Sequence, residues 1–137
     1  MILNADDPIS AFLGENNRRV YFGICDQQVI TPPSVIDDFG VCPVCGGKPV
    51  YAYRNMRHVG RFSCPSCGLH SPDADYFAEK VDYAARTLTV RGPAGTEEYP
   101  LFSDSLHNAY NEMAIVALMR TAGILPDALR ASLAEAK

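Results

Sequence analysis

C-P-V-C-G-G at residues 42–47 and C-P-S-C-G at residues 64–68 form two Cys-x-x-Cys motifs on either side of residues 48–63. This spacing is typical of a four-cysteine zinc ribbon. In each motif a tight turn directs both sulfurs toward one centre, and the glycine that follows allows backbone amides to approach them. The residues between the motifs are long enough for a β-hairpin, which would bring the two cysteine knuckles together.

The predicted metal ligands are Cys42, Cys45, Cys64 and Cys67. Four thiolates form a closed tetrahedral site without a free position for water, so we expect one structural Zn²⁺ that contributes folding free energy. An iron–sulfur centre or a pair of disulfides uses the same residues and stays open as an alternative. Because a closed site performs no chemistry, and no catalytic motif stands out elsewhere, we expect that the chain is not an enzyme. The fifth cysteine, Cys25, is predicted to be a small buried residue on a strand.

Positive charge is concentrated in the ribbon. The chain has a net charge of −4, yet residues 40–72 contain basic residues and no acidic ones. The candidate contacts to an anion or to nucleic acid are Lys48, Arg54, Arg57, His58 and Arg61. Basic side chains clustered on a small element favour phosphate binding, so a nucleic-acid-binding ribbon is the alternative function.

The patterning on both sides of the ribbon predicts an α+β fold with additional antiparallel β-hairpins and C-terminal helices. Segment 1–40 is predicted to hold a helix that begins at Asp7, a β-hairpin in which 28–31 pairs with 19–25, and a linker. Segment 41–72 is the zinc ribbon.

Segment 73–137 is predicted to form an antiparallel β region followed by two helices. Strands are expected at 77–82, 87–90 and 97–101, separated by turn-forming residues. Apolar residues at helical spacing predict one helix after Ser103, and a proline at a helix start predicts a second helix from Pro126.

No stretch approaches the roughly 20 apolar residues of a membrane helix. The first residues lack the basic end and apolar run of a signal peptide. With cysteines reserved for a metal, a reducing cytoplasm is the expected compartment.

The segments C-P-V-C-G-G-K-P-V at 42–50 and F-S-C-P-S-C-G at 62–68 resemble the restriction alleviation protein Lar family of zinc ribbons. N-A-Y-N at 108–111 lies where that family has its A-W-N helix ending, with Tyr in place of Trp. The resemblance implies a non-catalytic phage or prophage protein that relieves restriction through a protein partner such as a restriction-modification enzyme. A homo-oligomer formed through the C-terminal helices is compatible with this function and with the nucleic-acid alternative.

Overall fold

The computed structural model describes residues 1–29 and 39–136, which form an α+β fold. Within these residues the elements are β1 (Ile2–Asn4), β2 (Val20–Ile24), β3 (Val50–Met56), β4 (Val59–Ser63), β5 (Tyr76–Asp82), β6 (Thr87–Gly92), β7 (Gly95–Pro100), α1 (Leu106–Thr121) and α2 (Pro126–Glu135). The predicted fold class is confirmed, with a four-cysteine cluster, antiparallel strands after it and two C-terminal helices.

Five of these strands form one mixed sheet in the order β1-β2-β5-β6-β7. Strands β1, β2 and β5 run parallel, whereas β5, β6 and β7 form an antiparallel meander. The connection from β2 to β5 contains the separate β3–β4 hairpin of the ribbon. Segments 1–40 and 73–137 therefore contribute to the same sheet, while the predicted domain boundaries themselves stay a prediction.

The apolar core lies between the sheet and helix α1. Ala109, Met113 and Val116 are buried on one face of the helix, as the helical spacing predicted. Leu88 and Tyr99 are buried on the sheet and belong to the same cluster. Burial of this kind contributes about 25 cal/mol per Å² of apolar surface, and the helix is held against the sheet mainly by it.

Helix α2 is held against strand β7 and the end of α1. Its buried residues are Leu129 and Leu133. Beside it, the Arg120 guanidinium at the end of α1 donates from Nε and Nη2 to the two carboxylate oxygens of Glu97, at 3.0 and 2.9 Å. Such a two-bond pair fixes orientation as well as distance. Over the described ranges, neither helix is long and apolar enough to cross a membrane, and the cytoplasmic location stays a prediction.

The predicted helix that begins at Asp7 is wrong. Residues 8–12 form turns and no helix, because Gly14 with φ +64° ends the run before a helical nucleus can be extended. The Asp7 carboxylate instead accepts a hydrogen bond from the Ile9 N–H at 2.9 Å, which closes a local turn. Strand β2 pairs with β1 on one side and with β5 on the other. The predicted partner segment 28–31 lies partly outside the described residues, so its pairing with 19–25 stays a prediction. Residues 30–38 lie outside the described residues.

Candidate metal centre

The structure brings the four predicted ligands together. The sulfur of Cys42 lies 3.6 Å from that of Cys67, and Cys45 Sγ lies 3.5 Å from Cys64 Sγ. All four sulfurs lie within 4.8 Å of one another, and none forms a disulfide. Zn–S bonds of about 2.3 Å at tetrahedral angles separate sulfurs by about 3.8 Å, so the cluster has the size of such a site. The four cysteines can hold a metal ion.

The backbone of each knuckle is closed in the same way. The Gly46 N–H donates to the Cys42 carbonyl at 2.8 Å, and the Gly68 N–H donates to the Cys64 carbonyl at 2.9 Å. Both glycines have positive φ, +71° and +78°, which a side chain at these positions would disfavour. Next to the first of them, the Gly47 N–H donates to Cys45 Sγ at 3.4 Å. The glycines after each motif thus adopt the backbone conformation that was predicted to let amide groups approach the sulfurs.

The electrostatics of the cluster favour a cation among the sulfurs. Burial raises the pKa of Cys64, but hydrogen bonds from the backbone N–H groups of Cys67 and Ser66 and from the neighbouring thiols lower it to about 6. The Leu69 N–H lowers the pKa of Cys67, but burial and the other sulfurs raise it to about 12. One thiol therefore ionises readily, and its negative charge opposes ionisation of the neighbouring thiols. A divalent cation removes this repulsion and makes all four thiolates favourable.

Aromatic packing anchors the ribbon beside the metal cluster. Phe62 on β4 is 2% exposed and lies immediately before the second knuckle. Its ring contacts Phe12, Phe39 and Tyr51 with centroid distances of 6.1, 5.1 and 6.3 Å. The pairs with Phe12 and Phe39 are edge-on and the pair with Tyr51 is tilted, and such ring contacts add to the stabilisation that burial of the rings provides. The ribbon next to the knuckles is thus held by a small aromatic cluster around Phe62.

A buried polar cluster joins the ribbon to the main sheet and to α1. Asn55 of β3 donates from Nδ2 to the Tyr110 hydroxyl at 2.9 Å, and this hydroxyl donates to Asp6 Oδ2, also at 2.9 Å. Asp6 Oδ2 also accepts from the Ile24 N–H at the end of β2, and Asn55 Oδ1 accepts from the Gln27 N–H. Burial raises the pKa of Asp6 in spite of these bonds.

The sequence did not predict the polar cluster of Asp6, Asn55 and Tyr110. They lie far apart along the chain, and Tyr110 matched the apolar face of its helix. Each of the three is less than a tenth exposed. Only the packing of the hairpin against the sheet reveals that they are neighbours.

Two of the predicted basic contact residues, Arg54 and Arg61, interact with other side chains of the protein. The Arg54 guanidinium lies 3.9 Å from the centre of the Tyr51 ring. Arg61 Nη2 lies 2.8 Å from Asp73 Oδ1. These side chains contact the protein itself and lie on different parts of the hairpin.

The other three basic residues are spread along the ribbon. His58 Nε2 lies 3.5 Å from Asp7 Oδ1. Lys48 and Arg57 are exposed, the first beside a knuckle and the second at the hairpin turn, where its φ is +37°. Binding of an anion or of nucleic acid by the five residues stays a prediction.

Cys25 lies apart from the metal cluster, at the end of β2. It is half-buried, and its sulfur accepts a hydrogen bond from Gln27 Nε2 at 3.3 Å. Burial raises the pKa of its thiol. A thiol of raised pKa is a poor nucleophile at neutral pH, in keeping with a packing role.

The chain is similar to ligases of known identity, although no protein-family model matches it. It is 28% identical over 124 residues to the MurT subunit of lipid II isoglutaminyl synthase (glutamine-hydrolyzing) from Streptococcus pneumoniae, which covers 90% of this chain and 28% of that protein. Its fold matches a pseudomurein peptide ligase type C from Methanothermus fervidus with a TM-score of 0.75 and 28% identity, covering 96% of this chain and 26% of that one. The chain spans about a quarter of the length of each.

These similarities contradict the prediction that the chain is not an enzyme, because both similar proteins are ligases. That prediction came from the closed four-thiolate site, whose chemistry says nothing about the sheet and helices around it. The restriction-alleviation and phage functions find no support in either similarity and stay predictions.

Proposed function

We propose that this chain is a zinc-stabilised part of an amide-forming ligase that acts on a carboxyl group of a peptide substrate. Isoglutaminyl synthesis and peptide ligation both form an amide at such a carboxyl group. The observation that carries the proposal is the similarity to two ligases over 90% and 96% of this chain. Ligases as a class couple bond formation to cleavage of a nucleoside triphosphate, and we include this in the proposed activity.

The metal in this proposal is one Zn²⁺ with a structural role. Thiolate ligands favour zinc over the hard cations Mg²⁺ and Ca²⁺. Cys42, Cys45, Cys64 and Cys67 would fill all four tetrahedral positions, which leaves no position for a substrate or a water. The ribbon would therefore support the ligase, and the amide bond would form elsewhere.

The ribbon supports α1 and the strand ends through the polar cluster of Asp6, Asn55 and Tyr110. In this proposal the cluster keeps the hairpin, the end of β2 and the start of α1 in one arrangement. The similar pneumococcal protein is named as a subunit of a glutamine-hydrolyzing enzyme. This supports the predicted protein partner, which would then be another subunit of the ligase.

The direct test is depletion of the protein that carries this chain in its native cell. Peptide-bearing precursors are extracted and analysed by mass spectrometry, which separates a peptide amide from the free acid. We expect one amide to be lost and the matching free acid to accumulate. Unchanged precursors after complete depletion would reject the ligase.

Rescue with variants tests the role assigned to the zinc. A copy with Cys25→Ser should restore the amide, because this cysteine lies outside the metal cluster. A copy with Cys42→Ser and Cys64→Ser should restore less, in proportion to the folded protein that remains. Full rescue by the double variant would show that the ribbon is dispensable for the ligase.

A further inference from the structure

A cleft lies between the ribbon hairpin and the main sheet. Its volume is about 480 Å³. The lining residues are Tyr53, Arg61, Asp73, Ala74, Phe77 and Arg91. The cleft is thus built by two separate sheets and the segment that joins them.

Among the residues that the structure describes, the charged groups in the wall of the cleft are two guanidinium groups and one carboxylate. Arg61 comes from β4 of the hairpin, and Arg91 comes from β6 of the main sheet. The carboxylate is that of Asp73, whose side chain is 93% exposed and pairs with Arg61 at 2.8 Å. The described part of the lining therefore carries one excess positive charge, in a protein with a net charge of −4.

Both guanidinium groups can exchange their present partners for a ligand. Arg91 Nε lies 3.1 Å from Glu79 Oε1, and the two side chains are 52% and 44% exposed. Ion pairs between exposed side chains contribute little to stability, because water and salt screen them. An anion that bonds to both arginines at once replaces two weak pairs with charge-assisted, two-bond contacts.

Aromatic rings hold the walls in place. The Arg91 guanidinium carbon lies 5.7 Å from the centre of the Phe77 ring, on the neighbouring strand. On the hairpin side, the Tyr53 hydroxyl donates to the Ile24 carbonyl at 2.8 Å, which ties that ring to the end of β2. The two arginines are therefore presented from fixed walls, and binding costs less ordering of side chains.

We propose that this cleft is an oxyanion-binding site in which Arg61 and Arg91 together hold a carboxylate or a phosphate group of a ligand. The site goes beyond the ligase activity and does not rest on it. It also differs from the basic patch predicted from the sequence, because it contains Arg61 without the other four residues and includes Arg91. A carboxylate would come from a peptide, and a phosphate from a phosphorylated ligand.

The test is a calorimetric titration of the zinc-loaded chain at low salt with two probes, inorganic pyrophosphate and the dipeptide alanyl-glutamate. We expect saturable binding of at least one probe at one site, and the probe that binds tells a phosphate from a carboxylate ligand. Arg61→Gln and Arg91→Gln should each weaken binding by about tenfold, the loss of one charge-assisted contact. Asp73→Asn releases Arg61 and should strengthen binding by about threefold.

Arg18→Gln is the matched control, because it removes the same charge from an exposed residue outside the cleft. It should leave the affinity within about twofold, as expected when only a distant, screened charge changes. Arg57→Gln, at the hairpin turn, is a second control that removes the same charge outside the cleft, and it should also leave the affinity within about twofold. The site is rejected if neither probe binds at millimolar concentration, if both cleft variants bind like the parent, or if Arg18→Gln weakens binding as much as they do. A gain of affinity in Asp73→Asn cannot arise from misfolding, so it separates the site from general damage.

Discussion

Glu112 is a carboxyl group buried completely inside the core, on the face of α1 that packs against the sheet. Its Oε2 accepts a hydrogen bond from the Phe102 N–H at 3.2 Å, and its Oε1 has no hydrogen-bond partner in the part of the chain that the structure describes. Burial raises the pKa of this carboxyl group to about 7, although the Phe102 N–H and Arg86 lower it. A buried charge without a full set of partners is costly, so the protonated form is favoured below about pH 7.

Glu112→Gln should therefore stabilise the protein at alkaline pH. The folded-state pKa is raised above the unfolded one, so the contribution of the neutral acid is fully present below about pH 4.5 and is lost as the pH rises through about 7. Glutamine has nearly the same shape and does not ionise. We expect it to raise the free energy of unfolding by up to about 3 kcal/mol at pH 8 relative to the parent, and by much less at pH 5.

The measurement is denaturant unfolding of both proteins from pH 5 to pH 8 with zinc present. Effects of pH on the metal site cancel in the difference between the two proteins, because that site is the same in both. A difference that does not change with pH would show that Glu112 is ionised throughout, or paired in a way that the structure does not show.

Tyr110 is expected to contribute through its hydroxyl group. This group accepts from Asn55 and donates to Asp6, so Tyr110→Phe leaves a buried amide and a buried carboxyl group each short of one bond. We expect a loss of about 2 kcal/mol in the free energy of unfolding. Tyr83→Phe, which removes a hydroxyl from a half-buried tyrosine outside this cluster, is the control and should change stability by less than about 0.5 kcal/mol. Equal losses in the two variants would mean that the polar cluster adds nothing specific.

The elements that could be predicted from the sequence are those specified by residues close together in the chain. Two Cys-x-x-Cys motifs and the length of the chain between them were enough to predict the ribbon hairpin. The meander β5–β7 is joined by short turns, and α1 and α2 show helical spacing, so these elements also matched. In each case, a turn or a single face of one element carries the signal.

The parallel part of the sheet could not be predicted, because it depends on residues far apart in the chain. Strand β1 has only three residues, and its partner β2 begins at Val20. Strand β2 then pairs with β5, which begins at Tyr76 on the other side of the ribbon. Such pairings leave no local pattern. The cleft between Arg61 and Arg91 depends on the same long-range arrangement, and so the sequence indicated only one of its two arginines.

Metal binding by the two knuckles is tested with cysteine variants. Native mass spectrometry of the parent should show one zinc ion per chain. Cys42→Ser or Cys64→Ser should weaken zinc binding by at least about 100-fold, since loss of a partner one step removed from the metal already costs up to that much. Cys25→Ser is a matched control and should bind zinc like the parent. Iron in place of zinc, or no metal at all, would contradict the zinc assignment.

The ribbon, the sheet and α1 are joined by hydrogen bonds that span most of the chain. The Gly60 N–H of the hairpin donates to the Asp6 carbonyl at 2.7 Å, beside the cluster of Asn55 and Tyr110. Gly60 has no room for a side chain, because a Cβ there would lie 2.1 Å from the Tyr53 carbonyl oxygen. Together with the Tyr53–Ile24 hydrogen bond, these contacts fix the hairpin against the sheet, and the free energy of metal binding can stabilise the sheet through them.

Removal of zinc should therefore loosen the end of β2 as well as the ribbon. The Gln27 N–H bonds to Asn55 and the Ile24 N–H bonds to Asp6, so both amides report on this junction. With a chelator, we expect hydrogen exchange at both to increase by at least about tenfold, while the Val90 amide at the centre of the meander changes much less. In Asn55→Ala the Gln27 amide should already exchange rapidly, and the response of Ile24 to the chelator should be smaller. If Ile24 responds as strongly in the variant as in the parent, the coupling does not run through the Asn55 side chain, and the Gly60–Asp6 and Tyr53–Ile24 hydrogen bonds carry it.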